Sequence, residues 1–580
     1  MRAMRAGARA AMIPASAASR PALHGRRPLA VLLLAMAALV VAVPPGGEFP
    51  IDIDWNYARV VQSLIERGRL EISPWTAASL VLQAYWGSLF AALFGFSHTT
   101  LRISTLVLAA AGVLGFYRLL CELFDRRRAL LGALLLLFNP LYVCLSYSFK
   151  SNVPFLALAI WALFCYVRGV RAARLRLVWL VAGSAFAGGA FLVRQIGVAL
   201  PLAVVGAWLL AGNWRRSPRE LWREAWLRRS LLTAVLGPFC LAVLVGLYLD
   251  QLRGPVKQEP AGWMLDFWAD QGLGMVGVVL ARLAGAFSTL GIFTLPLSAG
   301  WLITRPSLGL SRPQHWLIGI LLLAVFVGLV LLSLVFGESP YFPHIGDTLS
   351  PRGFYIGNSN YFDGTVPASI AVPEWGLLIA TDAALLGCAL LVLAIVGLIS
   401  PEIARSPAAI PLLFGLIALA LTVPYHSFYD DYVLALLPSA LLAALLAFRG
   451  ARWVPALALV GVVLLAGWSV WWERDLLERD AAIWQAGQAL VERGIPPEEI
   501  DGGFEWNGWY RGQAIIAAAV QQGQSLRLGS RLQGYIIDGL HMKRARWVLA
   551  FAIPPGGAAE RVLVAVPYGN GQQVFGLQRY

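Results

Sequence analysis

Between Leu29 and Trp472 the chain is a succession of apolar runs, most of them long enough to cross a bilayer, separated by loops in which arginine is concentrated. That pattern admits few folds. A hydrocarbon core about 30 Å thick takes roughly 20 apolar residues as a helix, and a helix satisfies its own backbone there. With 58% hydrophobic and 13% charged residues over 580 residues, no soluble core could hide this apolar surface. The net charge of +14 then reads as topology rather than as a nucleic-acid footprint, because Lys/Arg-rich loops stay cytoplasmic. Cys121, Cys144, Cys165, Cys240 and Cys388 all lie in or at the ends of apolar segments, so no disulfide framework is implied.

Residues 1–28 carry Arg2, Arg5, Arg9, Arg20, Arg26 and Arg27 and no acid, ahead of the apolar run Leu29–Val43. They read as a basic cytoplasmic tail and a first span, with a cleaved signal peptide as the alternative. A first external loop, 44–100, follows. The basic loop Cys121–Arg128 should be cytoplasmic, so Leu101–Leu120 runs from outside to inside and Ser79–Phe96 is left as a surface or re-entrant helix. Further spans are expected near 129–147, 152–168, 176–193, 196–211, 230–249, 276–303, 315–336, 375–399, 408–425, 431–448 and 453–472. The sum is roughly 13 spans over a membrane domain at 29–472, with the N-terminus inside and the C-terminus outside. Residues 337–374 form a long external loop. Residues 473–580 are polar and read as a small external α/β domain, with a helix at Arg479–Arg493 and strands at Glu499–Phe504, Ala545–Ile553, Arg561–Val566 and Gln573–Leu577. Its Trp506, Trp509 and Tyr510 are either a sugar-stacking face or core and docking aromatics.

Chemistry concentrates in the stretch Phe49–Gly68, where Asp52 and Asp54 stand beside Trp55 and Tyr57 as the chain leaves the first span. Paired carboxylates at a lipid–water boundary suit general-base work, although acids there also favour a helix N-terminus. Arg282 and Asp382 lie inside predicted spans, where charges are paired or functional, and are expected to form an ion pair, with a polar substrate pocket as the alternative. The six histidines show no metal-ligand spacing, so no metal site is assigned. Asp52, Asp54 and Asp430 are the oxygen set considered for a divalent cation.

The order of first span, acidic external loop, surface helix, further spans and external C-terminal domain resembles the GT-C membrane glycosyltransferases. It is most similar to glycosyltransferase family 39 and its protein O-mannosyltransferase and lipid A aminoarabinose transferase relatives. The residues carrying the resemblance are Asp54-Trp55-Asn56-Tyr57-Ala58, Leu93–Ser97 with Leu101-Arg102, Phe138-Asn139-Pro140, Asn152–Phe155, Leu192–Gly197 and Tyr432–Pro438. The resemblance implies transfer of a sugar from a polyprenyl-phosphate donor to a protein, lipid or glycan acceptor at the outer face of the cytoplasmic membrane. Under it Asp54 is the expected base and Asp52 the second choice. Arg102, Lys150 and Arg194, each at the outer end of a predicted span, are the candidates for holding the lipid phosphate. Tyr57, Asn152, Asp430 and Asp431 complete the substrate-binding set. Two departures stand out. Relatives tend to carry Thr-Asp where this chain has Ser151-Asn152, and Asp-Arg-Tyr where it has Asp430-Asp431-Tyr432, so Lys150 is expected to take over a phosphate contact. The competing classes are a transporter or flippase and a catalytically degenerate scaffold.

Overall fold

The computed structural model describes residues 26–579 apart from 74–75, 77, 172–175, 212–233, 252–267, 270–271, 305–309, 336–339, 356–371, 426–427, 449–453, 522–537, 543–544, 554–559 and 570. The tail at 1–25, the loop expected at 214–229 and most of the loop expected at 251–274 therefore lie outside the described residues. Helix α1 (Arg26–Ala42) leads to the first loop, which contains α2 (Asp54–Arg67) and α3 (Val81–Phe94). There follow α4 (His98–Cys121), α5 (Arg126–Leu137), α6 (Pro140–Ser146), α7 (Asn152–Arg171), α8 (Arg176–Val193), α9 (Ala199–Leu210), α10 (Gly237–Gln251), α11 (Met275–Thr304) and α12 (Arg312–Leu334). After the small hairpin β1 (Leu349–Ser350) and β2 (Gly353–Phe354) come α13 (Glu374–Gly397), α14 (Pro401–Ala404), α15 (Ala409–Thr422), α16 (Asp430–Val433), α17 (Leu437–Ala447) and α18 (Val454–Val491). The chain ends with β3 (Ile500–Asp501), α19 (Gly503–Gln521), β4 (Trp547–Ala550), β5 (Glu560–Tyr568) and β6 (Gln572–Arg579).

Local sequence explains the breaks. Ser97 accepts from the Thr100 amide to start α4, and Asp125 accepts from the Arg127 and Arg128 amides to start α5. In Phe138-Asn139-Pro140 the asparagine caps α6 through the Tyr142 amide while proline takes the first helical position, so α5 and α6 meet at 60°. Helices α11 and α13 touch through their backbones, because a Cβ on Gly291 would lie 2.2 Å from the Cys388 nitrogen.

The chain is a polytopic helical membrane protein. Among the described residues, eight helices are long and apolar enough to cross a bilayer, or nine if the bent α5–α6 pair is one span, and five shorter apolar helices accompany them. The difference from the expected 13 lies in length: expected spans near 29–43, 196–211, 230–249 and 408–425 fall on helices of 10–17 residues. The surface helix expected at 79–96 is the 14-residue α3, about 21 Å long by its rise per residue.

The C-terminal region departs from expectation at its start. The sequence turns polar after Trp472, but α18 runs on without a break for 38 residues, so the expected helix at 479–493 is its second half. Ala482, Ile483, Ala486 and Leu490 on that half pack with Trp506 of α19 and with Leu549, Tyr568 and Val574 of the sheet. The sheet has the order β3-β4-β6-β5, with β3 parallel to β4 and the other pairs antiparallel. The strand expected at 499–504 ends at Asp501, and α19 begins at Gly503.

Candidate active site

The first loop returns to the bundle through one carboxylate. Asp54, the first residue of α2, folds back over the preceding turn: its Oδ1 accepts from the Ile51 amide at 2.7 Å and its Oδ2 from the Phe149 amide at 3.1 Å. Those amides belong to the residues just before Asp52 and just before Lys150. Gln83 of α3 donates to the Phe149 carbonyl at 2.7 Å, so the turn carrying Lys150 is gripped from two helices. The result is a buried ion pair, Lys150 Nζ to Asp52 Oδ2 at 2.7 Å. Asp52 reaches it with φ at 52°, a left-handed backbone that a non-glycine residue adopts only when its surroundings hold it there.

Two further carboxylates and a phenol surround the ammonium. Asp347 Oδ2 is 3.6 Å away, Asp431 Oδ2 3.8 Å, and the Tyr355 hydroxyl, on a residue also at φ 52°, accepts at 3.4 Å. Asn152 donates to Asp431 Oδ2 at 2.9 Å and to its carbonyl at 3.1 Å. The neighbouring Asp430 turns the other way and accepts from the Thr348 and Leu349 amides at 3.0 and 2.6 Å, which pins the loop bearing Asp347. Asp347 is the most open of the group, its side chain 25% exposed against 6% for Lys150.

Burial disfavours the Lys150 ammonium, but Asp52, Tyr355, Asp347 and Asp431 outweigh it and hold its pKa well above the usual lysine value. Asp347 is pushed well up by burial, which outweighs the pull of Lys150, with Asp52, Asp431 and Asp430 adding to the rise. Burial likewise pushes the Asp54 carboxyl up to about 7 from 3.8, against the pull of the Phe149 amide, Arg102 and the Ile51 amide. The folded protein therefore holds the Asp54 proton more tightly than the unfolded chain. Its contribution to stability is present at acidic pH and is lost as pH rises through about 7. Asp54→Asn should flatten that slope between pH 4 and 7, checked by unfolding midpoints in detergent across the range.

Of the three cations expected at the phosphate, the geometry separates the roles. Arg102 faces the loop backbone: Nε donates to the Tyr147 carbonyl (2.8 Å), Nη1 to Pro45 and Gly47 (2.7 and 3.4 Å) and Nη2 to Phe49 (3.0 Å). The bonds to Pro45, Gly47 and Phe49 hold the first loop to the bundle, and the one to Tyr147 fixes the guanidinium to the turn after α6. Lys150 is enclosed by carboxylates. Arg194 is only half-buried and its guanidinium lies over the Tyr432 ring, 5.1 Å from its centroid, with no hydrogen-bond or ion-pair partner of its own among the described residues. Tyr57, buried beside it, feels both Arg194 and Lys150 as well as Asp431 and Asp52.

The ion pair expected between Arg282 and Asp382 is not formed. Asp382 is exposed, and Arg282 donates to the carbonyls of Val423 and Tyr425 at 2.6 and 2.5 Å. Similar depth in two spans does not place two side chains on facing sides. Asp52, Asp54 and Asp430 also do not converge as an oxygen set, since Asp54 and Asp430 are turned to backbone amides, and no group of three or more His, Cys, Asp or Glu among the described residues could hold a metal ion. Trp506 and Tyr510 pack together and against Trp484, while Trp509 meets His98 edge-on at 4.7 Å, so these rings are core and docking aromatics. Sequence reasoning missed Asp347 and Tyr355, which sit in the long loop 337–374 without a motif around them.

Residues 81–241 match the family model described as dolichyl-phosphate-mannose-protein mannosyltransferase, a segment holding Arg102, Lys150, Asn152 and Arg194. No curated protein matches. Among solved structures, the chain is similar to ArnT from Cupriavidus metallidurans bound to undecaprenyl phosphate, at 17% identity and TM-score 0.38, over 95% of this chain and 97% of that one. It is also similar to the archaeal oligosaccharyltransferase AglB from Archaeoglobus fulgidus in complex with an inhibitory peptide and a dolichol-phosphate, at 14% identity and TM-score 0.41, over 81% of this chain and 58% of that one. The arabinosyltransferase EmbB from Mycobacterium smegmatis is similar at 16% identity and TM-score 0.32, over 79% of this chain and 41% of that one. Over residues 81–241 the chain is thus similar to the dolichyl-phosphate-mannose-protein mannosyltransferase family, within a multi-span helical architecture.

Proposed function

We propose that the protein transfers a sugar from a polyprenyl-phosphate donor to an acceptor hydroxyl or amine at the outer face of the cytoplasmic membrane, within the cluster around Lys150. The observation that carries this reading is the Asp52–Lys150 ion pair, ringed by Asp347 and Asp431 and neighboured by an arginine that no carboxylate among the described residues neutralises. Asp52 is the base. Its carboxylate belongs to the cluster, whereas both oxygens of Asp54 already accept from the backbone. The acceptor oxygen or nitrogen forms a bond to the anomeric carbon, its proton passes to Asp52, and the bond from that carbon to the phosphate oxygen breaks with its electron pair leaving on the lipid phosphate. Asp54 positions the pair by holding the residues that precede each partner.

Arg194 holds the lipid phosphate in this reading, because a guanidinium free of carboxylates can give a phosphate two parallel N–H bonds and take up its developing charge. Arg194→Ala should weaken binding of the free polyprenyl phosphate about 10- to 100-fold, the equivalent of about 1.5–3 kcal/mol for a charge-assisted contact. Calorimetric titration in detergent measures it. The reading as a whole is tested by incubating purified protein with labelled polyprenyl-phosphate sugar and a panel of acceptors. Release of free lipid phosphate together with a labelled acceptor supports it; transport of intact donor across a vesicle without cleavage would replace it with the flippase reading.

A further inference from the structure

Helix α19 is built to lie on the loop that carries Asp52 and Asp54. Trp55, the residue after Asp54, is fully buried, and its indole fills a notch made by Gly508 and Gly512. A Cβ on Gly508 would lie 2.3 Å from Trp55 Cε2 and 2.4 Å from Nε1, and one on Gly512 would lie 2.5 Å from Cη2 and Cζ3. Distances that short cannot be accommodated without moving the ring or the helix. Phe504 meets the same indole edge-on, with centroids 6.3 Å apart.

One turn along α2, Arg59 makes the second grip. Its guanidinium lies 3.6 Å from the centroid of the Trp509 ring and donates to the Trp509 carbonyl at 2.6 Å. The opposite side of α19 is fixed to the C-terminal sheet and α18 by Trp506, which is buried among Ile483, Ala486 and Leu490 and donates to the Pro497 carbonyl at 3.0 Å. An unbroken chain of packed side chains therefore runs from the sheet through α19 to the turn at Asp52.

We propose that α19 is a positioning element for the transfer reaction: the Gly508–Gly512 notch, by seating Trp55, sets the turn that aims Asp52 at Lys150, so the C-terminal region is part of the catalytic apparatus. This rests on the transferase reading above. A side chain in the notch displaces Trp55 and with it the base, while the donor phosphate contact at Arg194, on another element, is left in place. Gly508→Ala should lower kcat tenfold or more with the donor KM within about twofold of the parent. Gly512→Ala, which meets only the far edge of the indole, should give a smaller loss of the same kind and serves as the variant of choice if Gly508→Ala fails to accumulate.

The decisive measurement is repair by size. Trp55→Phe shortens the ring that occupies the notch, so adding it to Gly508→Ala should recover most of the lost kcat. Amide hydrogen exchange over residues 51–60 supplies a readout independent of turnover: it should rise in Gly508→Ala and fall again in the double variant. Unchanged kcat in both glycine variants would overturn the proposal, and so would a loss of kcat that Trp55→Phe does not repair. If the parent protein transfers no sugar, the transferase reading fails by itself, and the exchange cycle alone then decides: loosening repaired by phenylalanine keeps the positional link, and its absence removes it.

Discussion

Lys150→Met should abolish sugar transfer and leave a protein that unfolds much more readily at neutral and alkaline pH than at pH 5. Methionine matches the length of lysine but removes the only cation among the described residues that lies within ion-pair distance of Asp52, Asp347 and Asp431 together. Removing one partner of a buried ion pair costs about 3–5 kcal/mol, because the other partner is left charged in a poor solvent. The pH dependence fixes the sign. Without the ammonium, burial acts unopposed by Lys150 on the Asp347 carboxyl, which then holds its proton more tightly than in the unfolded chain, so stability is retained at acidic pH and lost as pH rises. Unfolding midpoints of the variant and the parent at pH 5 and pH 8 measure the effect. A loss of the same size at both pH values would mean that the lysine is held for packing and not for charge.

Asp52→Asn is expected to lower kcat by about a hundred- to ten-thousand-fold, the range for removing a positioned general base, with binding of polyprenyl phosphate little changed. The amide fills the same space and still accepts from Lys150 through its oxygen, so the fold should survive. Asp54→Asn should lose less activity and more stability. Its amide nitrogen cannot accept from a backbone N–H, so either the Ile51 or the Phe149 amide is left buried without a partner, at about 1–3 kcal/mol. Steady-state kinetics and unfolding on the two variants side by side test the division of labour. Greater loss of turnover in the Asp54 variant, with stability unchanged, would return the base to Asp54.

The parts of this site that could be read from the sequence are those set by local rules. Asp52, Asp54, Lys150, Asn152 and Asp431 stand at breaks in apolar runs, and a break in an apolar run marks the membrane boundary whatever the tertiary packing. What each of them touches depends on which turns meet across 98 to 279 residues of chain, and no periodicity carries that. Asp347 and Tyr355 were invisible for the same reason, since a loop residue becomes part of a site only when Asp430 pins its loop from another helix. Hydropathy also misplaced the end of α18. Its fall after Trp472 signals departure from lipid, not the end of a helix: no proline interrupts the chain between Trp472 and Gly494, and Gly487 is carried within the helix. Arg282 and Asp382 show the remaining gap: position along a span gives depth, whereas pairing needs azimuth.

The unbroken course of α18 has a mechanical consequence. A helix of 38 residues is a rod about 57 Å long, nearly twice the thickness of a hydrocarbon core, and it resists bending because each turn is closed by its own hydrogen bonds. Its first half packs among the bundle helices and its second half carries the sheet, so the two ends share one rotational phase. A single residue added near Trp472 would turn the sheet by about 100° relative to the bundle. The length of this rod is therefore a fixed dimension of the fold: one residue more turns α19 away from α2, and a whole turn restores the phase but shifts α19 by about 5.4 Å along the axis.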